Sequence, residues 1–402
     1  MDIWDGSSND KQIEIKYSKM KRKNFLQMGV LMMIPALSLS SCEDETNGEV
    51  NQSESSEIYG ETIENYVYDI VIPTYAEMKE NAFTLLEKVE EFAQRGTDAQ
   101  LEAACDAWRN TREPWEESEA FLFGPAATYG LDPLIDSWPL DKTNIESYLN
   151  SSISLDVDNV RESLGATVRG FHTLEYLLFK DGKARTAADI TDRQKEYMVA
   201  VATVLRDDCL QLWYYWNGQN NVSEKEQTIL EELEVETSAN GFAERFCNPN
   251  MFDQLYKTQV DVIWQIIDGC TDICGEVGEQ KIGGPYETQN VEEVESWYSW
   301  NSLADYENNV ISIQHSYLGN MSDDITLLDN IGNENSISAI VAKNNSDLDE
   351  EIRKAIKEAR NAVDAIPQPF RNNLTASSEI EFAMERLNDL NDILGKIKTI
   401  IK

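Results

Sequence analysis

Ile63-Glu64-Asn65-Tyr66-Val67-Tyr68-Asp69-Ile70-Val71 sets apolar side chains at 63, 66, 67, 70 and 71. Steps of three and one keep all five on one face of a 3.6-residue turn, whereas a strand would divide them between two faces. Phe83, Leu86, Val89 and Phe92 carry the stripe on past Pro73. Thr97-Asp98 is placed to cap a second helix through Leu101, Cys105 and Trp108 toward Phe121 and Phe123, with a kink or break at Pro114 and a stop at Gly124-Pro125. Residues 126–155 read as irregular, apart from a short helix from Lys142 to Leu149. Leu164, Val168, Phe171, Leu174 and Leu178 mark a further helix ending near Asp181-Gly182, and Tyr197 to Trp216 a long one.

The pattern restarts beyond Asn248-Pro249-Asn250. Tyr256, Val260, Ile263 and Ile267 form the stripe of a helix closed by Gly275–Gly278, and Val291 to Leu318 reads as the next. Segments around 325–341, 348–366 and 380–401 follow, with no strong strand alternation and no literal repeat. The expectation is an all-α protein of two four-helix-bundle-like units, 57–245 and 246–402, with a site at or near their interface.

Composition narrows the function. The 402 residues carry 34 basic and 73 acidic side chains, a formal charge of −39. That excess excludes a nucleic-acid binder, whose affinity comes from Lys and Arg on phosphates, and argues against adsorption to an anionic membrane. A 41% hydrophobic content excludes a disordered chain. Histidines are only His172 and His315, so a three-imidazole site cannot form within one chain.

Met20-Lys21-Arg22-Lys23 opens a basic stretch, followed by an apolar run from Phe25 to Leu39 and then Ser40-Ser41-Cys42. The run falls short of the ~20 residues that span a bilayer, and its order of basic, apolar and small residues is that of a secretory signal. Leu39-Ser40-Ser41-Cys42 resembles a lipobox, which implies cleavage after 41 and lipidation of Cys42. Residues 42–56, acidic and rich in Ser and Asn, read as a flexible tether. Glu43-Asp44-Glu45 resembles an export signal for surface lipoproteins. A lipid-anchored envelope protein of the outer membrane, with cell-surface exposure, is therefore expected. Cys105, Cys209, Cys247, Cys270 and Cys274 are an odd set, and Cys270 and Cys274 read as buried small residues because no further Cys or His lies near them.

The most pointed chemistry lies in Gly170-Phe171-His172-Thr173-Leu174-Glu175. Three residues apart on a helix, His172 and Glu175 share a face and can jointly hold a cation or pass a proton. A hydrogen-bonded surface pair has the same spacing, so the motif alone is weak. Arg112 and Glu119 are seven apart, two helical turns, and can face the same way despite Pro114. A buried Glu119 needs either Arg112 or a metal shared with His172 and Glu175. Asp305 and Asn309, one turn apart, could add oxygens from the second half of the chain; a solvated helix face would look the same.

Gly-x-His-x-x-Glu followed by an apolar run resembles the signature of the imelysin family, secreted bacterial proteins linked to iron uptake. The stretch from Trp108 to Pro125, with Arg112, Ser118-Glu119-Ala120-Phe121 and Phe123-Gly124-Pro125, is similar to the family's first motif, and Trp138-Pro139 also fits. Ser299-Trp300-Asn301-Ser302-Leu303-Ala304-Asp305 with Asn309, closing at Tyr317-Leu318-Gly319, is similar to its Ser-x-Asn-Thr-x-x-Asp-x-x-x-Asn segment. The sequence departs at Leu303, where many members carry His, and at Ser312, where they carry Gly. His315 lies off the motif and reads as structural.

The resemblance implies metal ligation by His172, Glu175 and Glu119, with Arg112, Ser299, Asn301, Asp305 and Asn309 completing a ligand site. One imidazole with several carboxylate oxygens suits iron, and zinc less well. The implied function is binding of a metal ion, iron, or an iron-bearing ligand for uptake, with an outer-membrane iron or haem transporter as partner. A metallopeptidase using the His172/Glu175 motif is the rival, since the family was first named as peptidases. It lacks a visible His-Glu-x-x-His or a complete hydrolase site. A non-enzymatic structural or partner-docking surface lipoprotein is the third reading.

Overall fold

The computed structural model describes residues 58–236, 240–251 and 255–402. The expected signal sequence, Cys42 and the tether lie outside the described residues.

The opening stripe forms α1 (Gly60–Tyr66), which passes through a π-helical segment, Val67–Val71, into α2 (Ile72–Arg95). Pro73 stands in the first turn after the π segment and has no N–H to return to the helix, so a wider turn there costs little. Gly96 closes α2 in the left-handed conformation, φ 65°, its N–H donating to the Phe92 carbonyl at 2.8 Å. Thr97 then caps α3 (Asp98–Glu116), its hydroxyl accepting from the Gln100 N–H. The short helix at Lys142–Leu149 forms as read, capped by Asp141. α4 (Gly170–Leu178) is followed by a two-residue hairpin, Phe179–Lys180 against Lys183–Ala184, and by α5 (Asp192–Asn217), which opens on a Thr191/Gln194 capping box.

In the second half, α6 (Gln259–Gly275) opens on a Thr258/Asp261 capping box. It does not stop at the glycines: it runs through a π-helical segment, Glu276–Ile282, into α7 (Gly283–Thr288). The expected helix Val291–Leu318 is shorter than read. Its first third is a turn-rich loop in which Ser296 and Trp300 adopt φ of 51° and 61°, and α8 begins only at Ser302 (Ser302–Leu318). Left-handed residues with side chains cannot propagate an α-helix, so the apolar period of Val291, Val294 and Tyr298 is not a helical stripe. α9 (Ser346–Asp364) and α10 (Ser377–Gly395) complete the main helices.

α2 packs against α3 and α5, α3 against α4 and α8, α6 against α10, and α9 against α8 and α10. Their apolar faces merge in one continuous core that holds Trp108, Trp115, Trp216, Phe121 and Ile263 fully buried. Each such side chain contributes roughly 1.5–3 kcal/mol relative to exposure, enough to seat polar groups among them that would not be stable alone. The five cysteines among the described residues are free thiols; four are buried and Cys247 is half-buried. Among the described residues, no helix is long and apolar enough to cross a membrane.

A buried ionic cluster as the candidate metal centre

Gly170 sets up the site. It has φ 76°, and a Cβ there would stand 2.3 Å from the Ile135 carbonyl oxygen. Only a residue without a side chain lets the start of α4 lie this close to the backbone at 134–135. Asp136, the next residue, is thereby carried to His172 on the first turn of α4: Asp136 Oδ1 is 2.8 Å from His172 Nε2. On the other edge of the ring, Nδ1 is 3.0 Å from Glu175 Oε2. Glu175 Oε1 in turn accepts from the Ser299 N–H at 2.9 Å and its hydroxyl at 2.8 Å. With both oxygens engaged, Glu175 orients the imidazole and anchors the 289–301 loop.

That loop delivers Glu295, whose Oε1 lies 3.5 Å from His172 Nε2 and accepts from Arg112 Nη2 at 2.8 Å. Arg112, fully buried, is the hub. It pairs with Glu116 at 2.5 Å, Asp136 at 2.7 Å, Glu295 at 2.8 Å and Asp305 at 3.2 Å. Asp305 also accepts from Asn301 Nδ2 at 2.6 Å and from the Ser296 hydroxyl. Asn309 donates to Glu116 Oε2 at 2.6 Å. Lys281, on the π-helical segment, reaches Glu295 at 3.3 Å, Glu119 at 3.6 Å and Glu116 at 3.7 Å.

The structure thus gathers the eight expected site residues, Arg112, His172, Glu175, Ser299, Asn301, Asp305, Asn309 and, through Lys281, Glu119, into one polar network. Glu119 stands apart from the His172/Glu175 pair. α3 ends at Glu116, and Glu119 belongs to a separate 3-10 turn, Glu119–Phe121, so the two-turn alignment with Arg112 is lost. Arg112 pairs with Glu116 one turn on instead, and Glu119 faces Lys281. Four charged residues of the network are not among the expected ones: Glu116, Asp136, Lys281 and Glu295. Two of them stood in or beside quoted motifs, Glu116 within the first and Asp136 two residues before Trp138-Pro139. Glu295 and Lys281 carry no mark in the sequence.

The network holds six carboxylates (Glu116, Glu119, Asp136, Glu175, Glu295, Asp305) against Arg112, Lys281 and His172. Burial pushes the Glu116 carboxyl up to about 8, with Arg112 and Lys281 only partly offsetting it. Glu119 is raised well above the carboxylate range by burial, against the pull of Lys281. Asp305 is also raised by burial, which Arg112 only partly offsets. The other side stays anionic. Burial works against charge on Asp136, but Arg112 and His172 hold it below the ordinary value. Burial likewise opposes Glu295, and Lys281, the His172 ring and Arg112 bring it down to about 2. Burial disfavours the imidazolium of His172, yet Asp136 holds its pKa well above the ordinary value. Protons therefore balance what the two fixed cations leave over.

Donor geometry fits a cation in the protons' place. His172 Nε2, an Asp136 oxygen and a Glu295 oxygen lie within 4.8 Å of one another, and a second such group joins Glu116, Glu119 and Asp136. Asp136 Oδ1 and His172 Nε2 form a buried ion pair at 2.8 Å, with Glu295 Oε1 3.5 Å from the same nitrogen. An ion bound there would take the place of the Nε2 proton, leaving the ring nitrogen and the two carboxylates as donors. Nδ1 held by a carboxylate is the usual companion of a metal-bound Nε2.

The imelysin family's sequence model matches residues 71–397. The chain belongs to the imelysin family. This imelysin is 29% identical over 319 residues, 79% of each chain, to iron-regulated protein A of Synechococcus elongatus. It also resembles the crystal structure described as an iron-regulated protein A precursor from Parabacteroides distasonis, at 31% identity and a TM-score of 0.75, over 86% of this chain and 95% of that one. An imelysin-like protein from Psychrobacter arcticum, 15% identical, shares the fold with a TM-score of 0.56 over 87% of this chain and 95% of that one.

Proposed function

We propose that this imelysin binds iron as an ion for uptake at the cell envelope, with His172, Asp136 and Glu295 as the inner ligands and Glu175 holding the ring. The observation that carries the reading is the convergence of these donors in a buried cluster with more carboxylates than fixed cations. Kinship to iron-regulated protein A supports the choice of iron. The donors form an N/O set, which suits Fe²⁺ or Fe³⁺, with Zn²⁺ as a competitor. The burial of His172, Arg112, Glu116 and Asp305, all fully enclosed, favours a bare ion over haem or a large chelate. It also speaks against the peptidase alternative, because a polypeptide would have to reach a metal sealed beneath helices.

Lipidation at Cys42, residence on the outer membrane and delivery to an iron transporter there complete the proposal; the first two rest on the sequence signals and the third on the family resemblance. Titration of the purified protein with Fe²⁺ and Fe³⁺ tests the binding. Wild type should bind at least one ion per chain, and His172→Gln with Glu295→Gln should bind one fewer. Equal binding by the double variant would remove the assignment.

A further inference from the structure

A second cluster lies outside this network, where the end of α3 meets the end of α8. Glu117 caps α3, His315 stands in the last turn of α8, and Asp323 follows in the loop after it. One ligand atom from each falls within 4.8 Å of the others. His315 is fully buried; its Nε2 is 3.0 Å from Asp323 Oδ1, while among the described residues its Nδ1 has no hydrogen-bond partner. Glu117 is 7% exposed, and among the described residues its carboxylate has no hydrogen-bond or ion-pair partner, though it is aimed at the ring and at Asp323. A carboxylate enclosed to that degree without a donor or a cation is costly. Its surroundings worsen the cost. Asp323, Glu113 and Glu77 place like charge around it, and Arg360 opposes them from beyond ion-pair distance. Arg360 is itself committed to Gln314, the Asp323 carbonyl and Glu307.

We propose that Glu117, His315 and Asp323 form a second, independent site for a divalent transition cation. One imidazole and two carboxylates supply an N1O2 set of the kind Zn²⁺, Mn²⁺ and Fe²⁺ accept, with solvent completing the shell. The site is asymmetric: Glu117 and His315 form an enclosed floor, and the Asp323 side chain, 51% exposed, stands at the mouth. An ion can enter there without passing through the core, unlike the His172 cluster. The site shares no donor with that cluster and does not depend on the iron reading.

The test is a Zn²⁺ titration of the full chain by calorimetry, with bound zinc counted after desalting. Glu117→Gln should bind one zinc fewer per chain than wild type, and the exposed-residue variant Asp323→Asn should weaken that same zinc at least tenfold. Glu295→Gln should leave it in place, which separates this site from the central one. The inference is overturned if wild type and the Glu117→Gln/Asp323→Asn double variant bind the same number of zinc ions with the same affinity. It is equally overturned if Glu295→Gln removes the only zinc that wild type holds. Because Asp323 lies at the surface, a folding failure at Glu117 would not leave the question undecided.

Discussion

Gly170→Ala is the sharpest perturbation of the site, because it adds one methyl group and removes no polar contact. The new Cβ would meet the Ile135 carbonyl oxygen at 2.3 Å, the Ile135 carbonyl carbon at 2.9 Å and the Leu134 carbonyl oxygen at 2.9 Å. All three are backbone atoms, so no side chain can swing aside. Two costs add. Holding a residue with a Cβ at φ 76° costs ~1–2 kcal/mol, and forcing packed segments apart typically costs about 1–3 kcal/mol. The expected loss is therefore about 2–5 kcal/mol, a large part of a stability that is ~5–15 kcal/mol in most proteins. Urea unfolding followed by circular dichroism measures it. Gly130→Ala is the control: its φ is 64° but nothing lies within 4 Å of the added atom, so only the ~1–2 kcal/mol conformational cost applies. If the two variants lose the same stability, the close approach at 134–135 is not what makes position 170 a glycine, and the placement of Asp136 needs another cause.

Arg112→Met should destabilise by about 3–5 kcal/mol, since it strands four buried carboxylates; urea midpoints check this, and a loss under 1 kcal/mol would refute the hub role. In chelator, thermal stability should fall between pH 5 and pH 9. Glu116, raised to about 8, and His172, also raised, bind protons more tightly folded than unfolded, so their contribution is complete below the ordinary values and lost as pH rises through the folded ones. Glu295, lowered to about 2, acts oppositely and only in acid, below the ordinary carboxylate range. Melting curves that rise across pH 5–9 would contradict the assignment, and Glu116→Gln should flatten the slope. Glu175→Gln should keep the fold while lowering iron affinity roughly 10- to 100-fold, as loss of an orienting carboxylate does; isothermal titration would show an unchanged affinity if Glu175 only braces the loop.

Much of the architecture is legible in the amino-acid order. Thr97 before a helical stripe, Pro114 near its end and the Lys142–Leu149 segment appear where local chemistry puts them. The π-helical continuation of α6 does not, because Gly275 and Gly278 look like a stop and only packing keeps the chain coiled. The 289–301 loop is illegible for a related reason. Val291, Val294 and Tyr298 mimic a helical period, while the left-handed turns at Ser296 and Trp300 depend on Ser299 anchoring to Glu175, 124 residues away. The same distance hides half of the site. Motif spacing finds His172, Glu175, Asp305 and Asn309, since each pair shares a helix. Glu295 and Lys281 are single charges in a chain that is 27% charged, and only the fold brings them to Arg112.

The most direct measurement is anomalous diffraction at the iron edge from crystals of the protein soaked in Fe²⁺ without chelator. The expected result is a peak bounded by the His172 Nε2, Asp136 and Glu295 side chains, with Glu175 still on Nδ1. A map with no iron density among those three donors, and Asp136 still paired to the ring, would contradict the account.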